Sequence, residues 1–133
     1  MLIIYIFPLR MTSVDEYPEF RRLLDKAEIK GAIFLVEGKK DKGALEKFGI
    51  KEVITLDKPI YSVVEDIVER KKPCVILTDL DKEGKKLYGK LNDALCRHGV
   101  KVDNTIREFL FRKTKLRQIE GVDTYFSSEL MLS

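Results

Sequence analysis

Ala32-Ile33-Phe34-Leu35-Val36-Glu37-Gly38 and Cys74-Val75-Ile76-Leu77-Thr78-Asp79-Leu80-Asp81 are the two stretches that decide how this chain folds. Each opens as an unbroken apolar run rich in β-branched residues and ends abruptly in carboxylates. A strand with one wet face alternates apolar and polar residues, whereas a strand covered by helices on both faces has no need to. Both runs therefore read as buried strands whose acidic ends emerge at an edge of the sheet.

The residues that follow each strand set the geometry. After Glu37 come Gly38 and a helical stretch over 39–48, and after Asp81 come Gly84 and another over 85–98, so each unit is strand, acidic turn, helix. Helical crossovers imply parallel strands. In open parallel sheets the ligand site lies outside the carboxyl ends of the strands, at the point where neighbouring strands send their helices to opposite faces. A strand order of 2-1-3-4 makes the first and third strands neighbours there, and Glu37, Asp79 and Asp81 converge. If extended geometry persists through the second stretch, the carboxylates of Asp79 and Asp81 point the same way while Leu80 turns into the packing. Crowded like charges raise each other's pKa and destabilise the fold. A hard divalent cation resolves the conflict, and Mg²⁺ is typically held by one or two carboxylates, waters and substrate phosphate.

Glu37-Gly38-Lys39-Lys40-Asp41, followed by Thr78-Asp79-Leu80-Asp81-Lys82-Glu83-Gly84, resembles the Toprim domain. That domain is shared by topoisomerases, bacterial primases, recombination mediators and the small ribonucleases that mature ribosomal RNA. The resemblance spans roughly residues 30–101, with two motifs in the right order, each at the end of the right strand. It implies a Rossmann-like, three-layer α/β fold with about four mostly parallel strands flanked by helices. It further implies that Glu37, Asp79 and Asp81 bind Mg²⁺, with Mn²⁺ as a possible substitute, and carry phosphodiester chemistry. At 133 residues the chain has the size of a small stand-alone protein of the archaeal type, without room for the second catalytic domain of a topoisomerase or primase. One domain over 1–133 is expected, with a motif-bearing core over 30–102, an N-terminal helix over 17–28 and a helical tail over 104–117.

Composition sets the outer bounds. With 44% hydrophobic and 35% charged residues and a formal net charge of +3, the chain reads as a soluble globular domain whose charge does not by itself demand nucleic acid. Cys74 and Cys96 show no metal or redox spacing, and reduced structural thiols suit the cytoplasm. Leu2-Ile3-Ile4-Tyr5-Ile6-Phe7 is too short to span a membrane and lacks the features of a signal peptide. It reads either as an added strand or, by slight preference, as part of an extension upstream of a start at Met11.

The remaining elements follow from periodicity. Phe20, Leu23, Leu24 and Ala27 line one face of a first helix, with Pro18 in its first turn and Gly31 ending it. A second strand is predicted over 52–56. Ile60, Val63, Val64, Ile67 and Val68 then form the stripe of a helix that Ser62 and Glu65 would cap, and Lys71-Lys72-Pro73 ends it. Leu87, Leu91, Ala94 and Leu95 face the core from the next helix, with Gly99 as its left-handed cap. A fourth strand over 100–102 and a helix over 106–117, started by Asp103-Asn104-Thr105, complete the pattern; the chain beyond Gly121 is left unassigned.

Each functional residue has a plainer alternative. A lone Asp-x-Asp after a strand is usually a turn, but pairing with Glu37 after another strand favours a metal. The stretch from Asp79 also imitates the first half of an EF-hand loop, and fails because Lys90 stands where a bidentate glutamate is required. Asp41, in a first helical turn, suits loop ordering by the helix dipole as well as catalysis. Gly38 and Gly84 permit close backbone approach, although glycine is ordinary in strand-to-helix turns. His98 falls on the apolar side of a helix end, in a packing or capping role. Lys39 and Lys40 are placed to neutralise a transition state. Lys82 and Lys85 lie beside the acidic turn, where they meet phosphates or simply form a solvated face with Arg112, Lys113, Lys115 and Arg117.

Two functional classes remain open. One is a Mg²⁺-dependent nuclease acting on nucleic acid, RNA slightly preferred over DNA through the resemblance to the ribosomal-RNA-maturing enzymes. The other is a non-catalytic module that binds nucleic acid or a protein partner. No membrane role is expected, and a homo-oligomer is compatible with either class.

Overall fold

A computed structural model of the protein describes residues 13–127, so the alternative readings of residues 1–10 lie outside the described part. Three short strands, β1 (Ile33–Val36), β2 (Val53–Thr55) and β3 (Cys74–Leu77), form one parallel sheet in the order β2-β1-β3. Around them run α1 (Ser13–Ile29), α2 (Lys39–Glu46), α3 (Ile60–Arg70), α4 (Lys82–Arg97), α5 (Thr105–Lys113) and α6 (Val122–Tyr125). This is the expected Rossmann-like α/β arrangement.

The continuous apolar runs of β1 and β3 are explained by two separate cores. Phe34, Val36, Val75 and Leu77 point to one face, where Phe20, Leu24, Leu45, Ile106 and Phe126 bury them. Ile33, Leu35, Cys74 and Ile76 point to the other, against Val63, Val64 and Ile67 of α3 and Leu91 and Leu95 of α4. Alternation is present, but both faces are dry. Burial also holds the Cys74 thiol up at about 12, and among the described residues Cys74 and the exposed Cys96 are both free.

The fourth strand is reduced to a single bridge. Val102 pairs in parallel with Cys74, whose N–H donates to Lys101 O and whose carbonyl accepts from Asp103 N–H, each at 2.9 Å. The chain meets only the first residue of β3 before Asp103 and Asn104 turn it into α5, so the ladder has no length to extend. The 2-1-3-4 order survives as topology.

Several helix ends differ from expectation. Helix α1 begins at Ser13, which puts Pro18 inside the helix rather than in its first turn. Helix α3 begins right after Pro59, so Ser62 is already its third residue and no side-chain cap forms. Helix α4 starts at Lys82, three residues early, because Asp81 caps it. Helix α5 stops at Lys113, and Thr114 to Gln118 leave it without helical structure. Gly99 does take the left-handed conformation, φ +84, which L side chains rarely adopt. His98 is exposed rather than on the apolar side, and its Nδ1 lies 2.8 Å from Ala94 O as a helix cap. No helix among the described residues is long and apolar enough to cross a membrane.

Candidate functional site

The register pairs Val36 with Leu77, so Glu37 and Thr78 leave the sheet side by side. Glu37 Oε2 then accepts a hydrogen bond from the backbone N–H of Asp79 at 2.8 Å. This contact joins the two acidic turns across the strand ends. Leu80 is buried, as its position between two aspartates suggests, but the aspartates themselves have different partners. Asp79 Oδ1 accepts from Ile119 N–H at 2.9 Å, whereas Asp81 Oδ1 accepts from Gly84 N–H at 2.8 Å and so caps α4.

Gly84 is fixed by steric need. A Cβ there would lie 1.9 Å from Asp79 O, so only glycine lets the first turn of α4 press against the Asp79 backbone. Thr78, fully buried, ties the same turn down by donating its hydroxyl to Gly84 O at 2.8 Å. Gly38 is different: a Cβ there would meet nothing nearer than Asp41 Oδ2 at 4.0 Å. Asp41 reaches back to accept from Gly38 N–H at 3.0 Å, ordering the first turn of α2. Burial pushes the Asp41 carboxyl up to about 6, against the pull of the Gly38 N–H, and the charges of Asp79, Glu37 and Glu120 push it further in the same direction.

Arg107 completes the site, although from sequence it is only one among several tail cations. It is 8% exposed, and its guanidinium donates to Thr78 O at 2.5 Å and to Asp79 O at 2.9 Å. Burial lowers its pKa, while Tyr88, Glu37, Asp79 and Asp81 all favour its charged form. One fixed cation thus sits under the acidic turn. The available signal was its position three residues before Leu110, on the face of α5 that also carries Ile106. The extended stretch after α5 has no signature in the sequence either, yet it secures the turn from outside: Leu80 N–H donates to Arg117 O at 2.7 Å, and Ile119 N–H reaches Asp79.

Of the predicted cations, Lys39, Lys40, Lys82 and Lys85 are all exposed at the starts of α2 and α4, on the side where the acids emerge. Asp81 opens into a groove of about 740 Å³ that Lys115, Arg117 and Glu120 also line. Among the described residues, no three acidic, histidine or cysteine side chains are gathered tightly enough to hold a metal ion. The donor chemistry nevertheless suits a hard cation. Glu37, Asp79 and Asp81 each hold a backbone N–H with one carboxylate oxygen, and a carboxylate has a second oxygen to offer.

The Toprim domain family matches residues 32–110 of this chain. A UPF0292 protein of Methanocaldococcus jannaschii is 32% identical over 126 residues, covering 87% of this chain and 97% of the relative. A UPF0292 protein of Pyrococcus horikoshii is 35% identical, covering 90% of this chain and 91% of its own length. The solved structure of a protein from Aquifex aeolicus superposes with a TM-score of 0.69 at 38% identity, covering 77% of this chain and 94% of that one. With the family match spanning the sheet of order β2-β1-β3 and both acidic turns, the chain belongs to the Toprim domain family, whose work on nucleic acid is associated with divalent metal.

Proposed function

We propose that this protein is a cytoplasmic Mg²⁺-dependent nuclease in which Glu37, Asp79 and Asp81 form the metal and catalytic site. The observation that supports it best is the 2.8 Å contact between the Glu37 carboxylate and the Asp79 backbone N–H, which joins the acidic turns of two neighbouring strands at one sheet edge. Bound there, the ion would polarise a phosphate oxygen and stabilise the charge on the leaving oxygen. Glu37 serves as general base or acid, since one of its oxygens is anchored and the other is available for a proton. Asp79 and Asp81 supply the ligands, oriented by the N–H groups of Ile119 and Gly84. Lys39 and Lys40 offset charge on the transferring phosphate, and Lys82 and Lys85 hold flanking phosphates. Mn²⁺ is expected to replace Mg²⁺, and RNA is the preferred substrate over DNA.

The test is incubation of the purified protein with structured RNA, single-stranded DNA and duplex DNA, with and without Mg²⁺ or Mn²⁺. Metal-dependent cleavage that Glu37→Gln abolishes is the expected result; glutamine keeps the acceptor for Asp79 N–H, so the fold survives. A second reading, a non-catalytic module for nucleic acid or a protein partner, is favoured by the structural hydrogen bond that each carboxylate already makes. Binding without cleavage at any metal concentration would select it.

A further inference from the structure

Beside the acidic turn, between α4 and α5, lies a pocket of about 270 Å³ that the proposed chemistry does not use. Leu80 forms part of its lining, and Arg107, which holds Asp79 O, forms another part, so the pocket and the acidic turn share a wall. Tyr88 and Phe111 supply aromatic surface, and Asn104 a polar edge. The Tyr88 hydroxyl donates to Asn104 Oδ1, which leaves the amide nitrogen of Asn104 as a donor toward a ligand. The lining carries three cations, Lys85, Arg107 and Arg112, against one carboxylate, Glu108.

Phe111 is the informative residue. An exposed aromatic side chain alone says little. This one is 40% exposed, with the Lys85 ammonium 4.4 Å and the Arg117 guanidinium 5.0 Å from its ring centroid. Both cations are themselves exposed, and Arg117 commits one nitrogen to Leu116 O at 2.7 Å, which leaves its other donors for another partner. Arg117 also lines the groove into which Asp81 opens, so one cation borders both that groove and the ring.

We infer that this pocket receives an unpaired base of single-stranded nucleic acid, stacked on Phe111, while Lys85, Arg112 and Arg117 take the adjoining phosphates; the inference rests on the nucleic-acid reading above. Charge complementarity, an accessible ring and a volume below that of drug-sized pockets fit one nucleotide. A paired base has its faces covered by its neighbours in the stack and cannot reach the ring without leaving the duplex.

The experiment is fluorescence anisotropy in EDTA, with a labelled single-stranded oligonucleotide and the duplex of the same sequence, on the wild-type protein, Phe111→Leu and Phe111→Tyr. Removing one base-stacking partner is expected to weaken single-strand binding by roughly 5- to 100-fold in Phe111→Leu, while Phe111→Tyr binds like the wild type. Duplex affinity should stay within about two-fold for all three proteins, because the cations are unchanged. Replacing successive nucleotides by abasic ones should reveal a position that matters to the wild type and not to Phe111→Leu. An unchanged single-strand affinity in Phe111→Leu, or an equal loss for strand and duplex, would overturn the inference. So would displacement of the strand by an equimolar free nucleoside monophosphate, which would mark a small-molecule site. Because no metal is present, these results stand apart from the cleavage test: absence of Glu37-dependent cleavage ends the nuclease reading alone, and a wild type that binds neither oligonucleotide in EDTA ends the single-strand inference alone.

Discussion

Asp41 and Gly84 show how single residues govern the site, one through charge and the other through volume. The folded-state pKa of Asp41 is pushed up to about 6 from 3.8, so between these values the folded protein holds a proton that the unfolded chain has released. Its contribution is fully present below about pH 4 and is lost as pH rises through about 6. Asp41→Asn keeps an acceptor for Gly38 N–H and does not titrate. Measured in EDTA, the melting temperature of the variant should therefore gain on the wild type from pH 4 to pH 7 in that window; a constant difference would mean that neither burial nor the neighbouring carboxylates raise the Asp41 carboxyl. At Gly84 a methyl group meets backbone at 1.9 Å, which no side-chain adjustment relieves. Gly84→Ala should cost at least the upper end of the roughly 1–3 kcal/mol typical of overpacking. Gly89, within α4, has nothing within 4 Å of its Cβ position, and Gly89→Ala should stabilise by roughly 0.5–1 kcal/mol. Urea unfolding of the two variants measures both effects.

At the scale of elements, α5 acts as a clamp on β3. Ile106 and Leu110 bury its apolar face, and from the same face Arg107 spans the carbonyls of Thr78 and Asp79. Two acceptors a residue apart suit a planar fork of donors rather than a single ammonium. Arg107→Lys should leave one buried carbonyl unpaired, at a cost of about 1–3 kcal/mol, seen as a lower urea midpoint with unchanged slope. A midpoint equal to that of the wild type would mean that water or lysine serves both carbonyls. The elements most legible in the sequence were those whose pattern is local: the double-faced runs of β1 and β3, the Val63, Val64 and Ile67 stripe of α3, and the glycine after α4. The illegible ones depend on distant partners. Neither the Arg107 clamp, at separations of 28 and 29 residues, nor the Ile119 contact to Asp79, at 40, leaves a periodic trace. The ending of α5 at Lys113 belongs to the same class, since the segment beyond leaves the helix to bond Leu80.

For the molecule as a whole, metal and salt are the two external levers. If Glu37, Asp79 and Asp81 hold Mg²⁺, the ion stabilises the folded state by mass action, roughly 1.4 kcal/mol at ten times Kd, and the melting temperature should rise by a few degrees. In Asp79→Asn, the amide oxygen still accepts from Ile119 N–H while one repelling charge and one ligand are gone. That variant should match or exceed the wild type in EDTA and respond less to metal. A strong loss in EDTA with the full metal response retained would make Asp79 a turn residue only. Replacing Arg112, Lys113, Lys115 and Arg117 together by Ala should weaken nucleic-acid binding and flatten its dependence on log salt by roughly 0.7–0.9 for each phosphate that is no longer neutralised. An unchanged slope would assign these exposed side chains to the solvated surface.

The stretch from Thr114 to Ile119 crosses the carboxyl edge of β3 and takes the Leu80 and Asp79 groups into its own bonding. Its separation from them in the chain gives it a place in the order of events as well as in space. A nascent chain that has emerged only through α4 holds every acid of the motifs and none of the bonds that seat Asp79 from outside. In hydrogen–deuterium exchange, the Leu80 and Ile119 amides should therefore open together with α5, as one cooperative unit distinct from the β1–β2 ladder. Seating of the acidic turn therefore waits on Ile119, made 40 residues after Asp79.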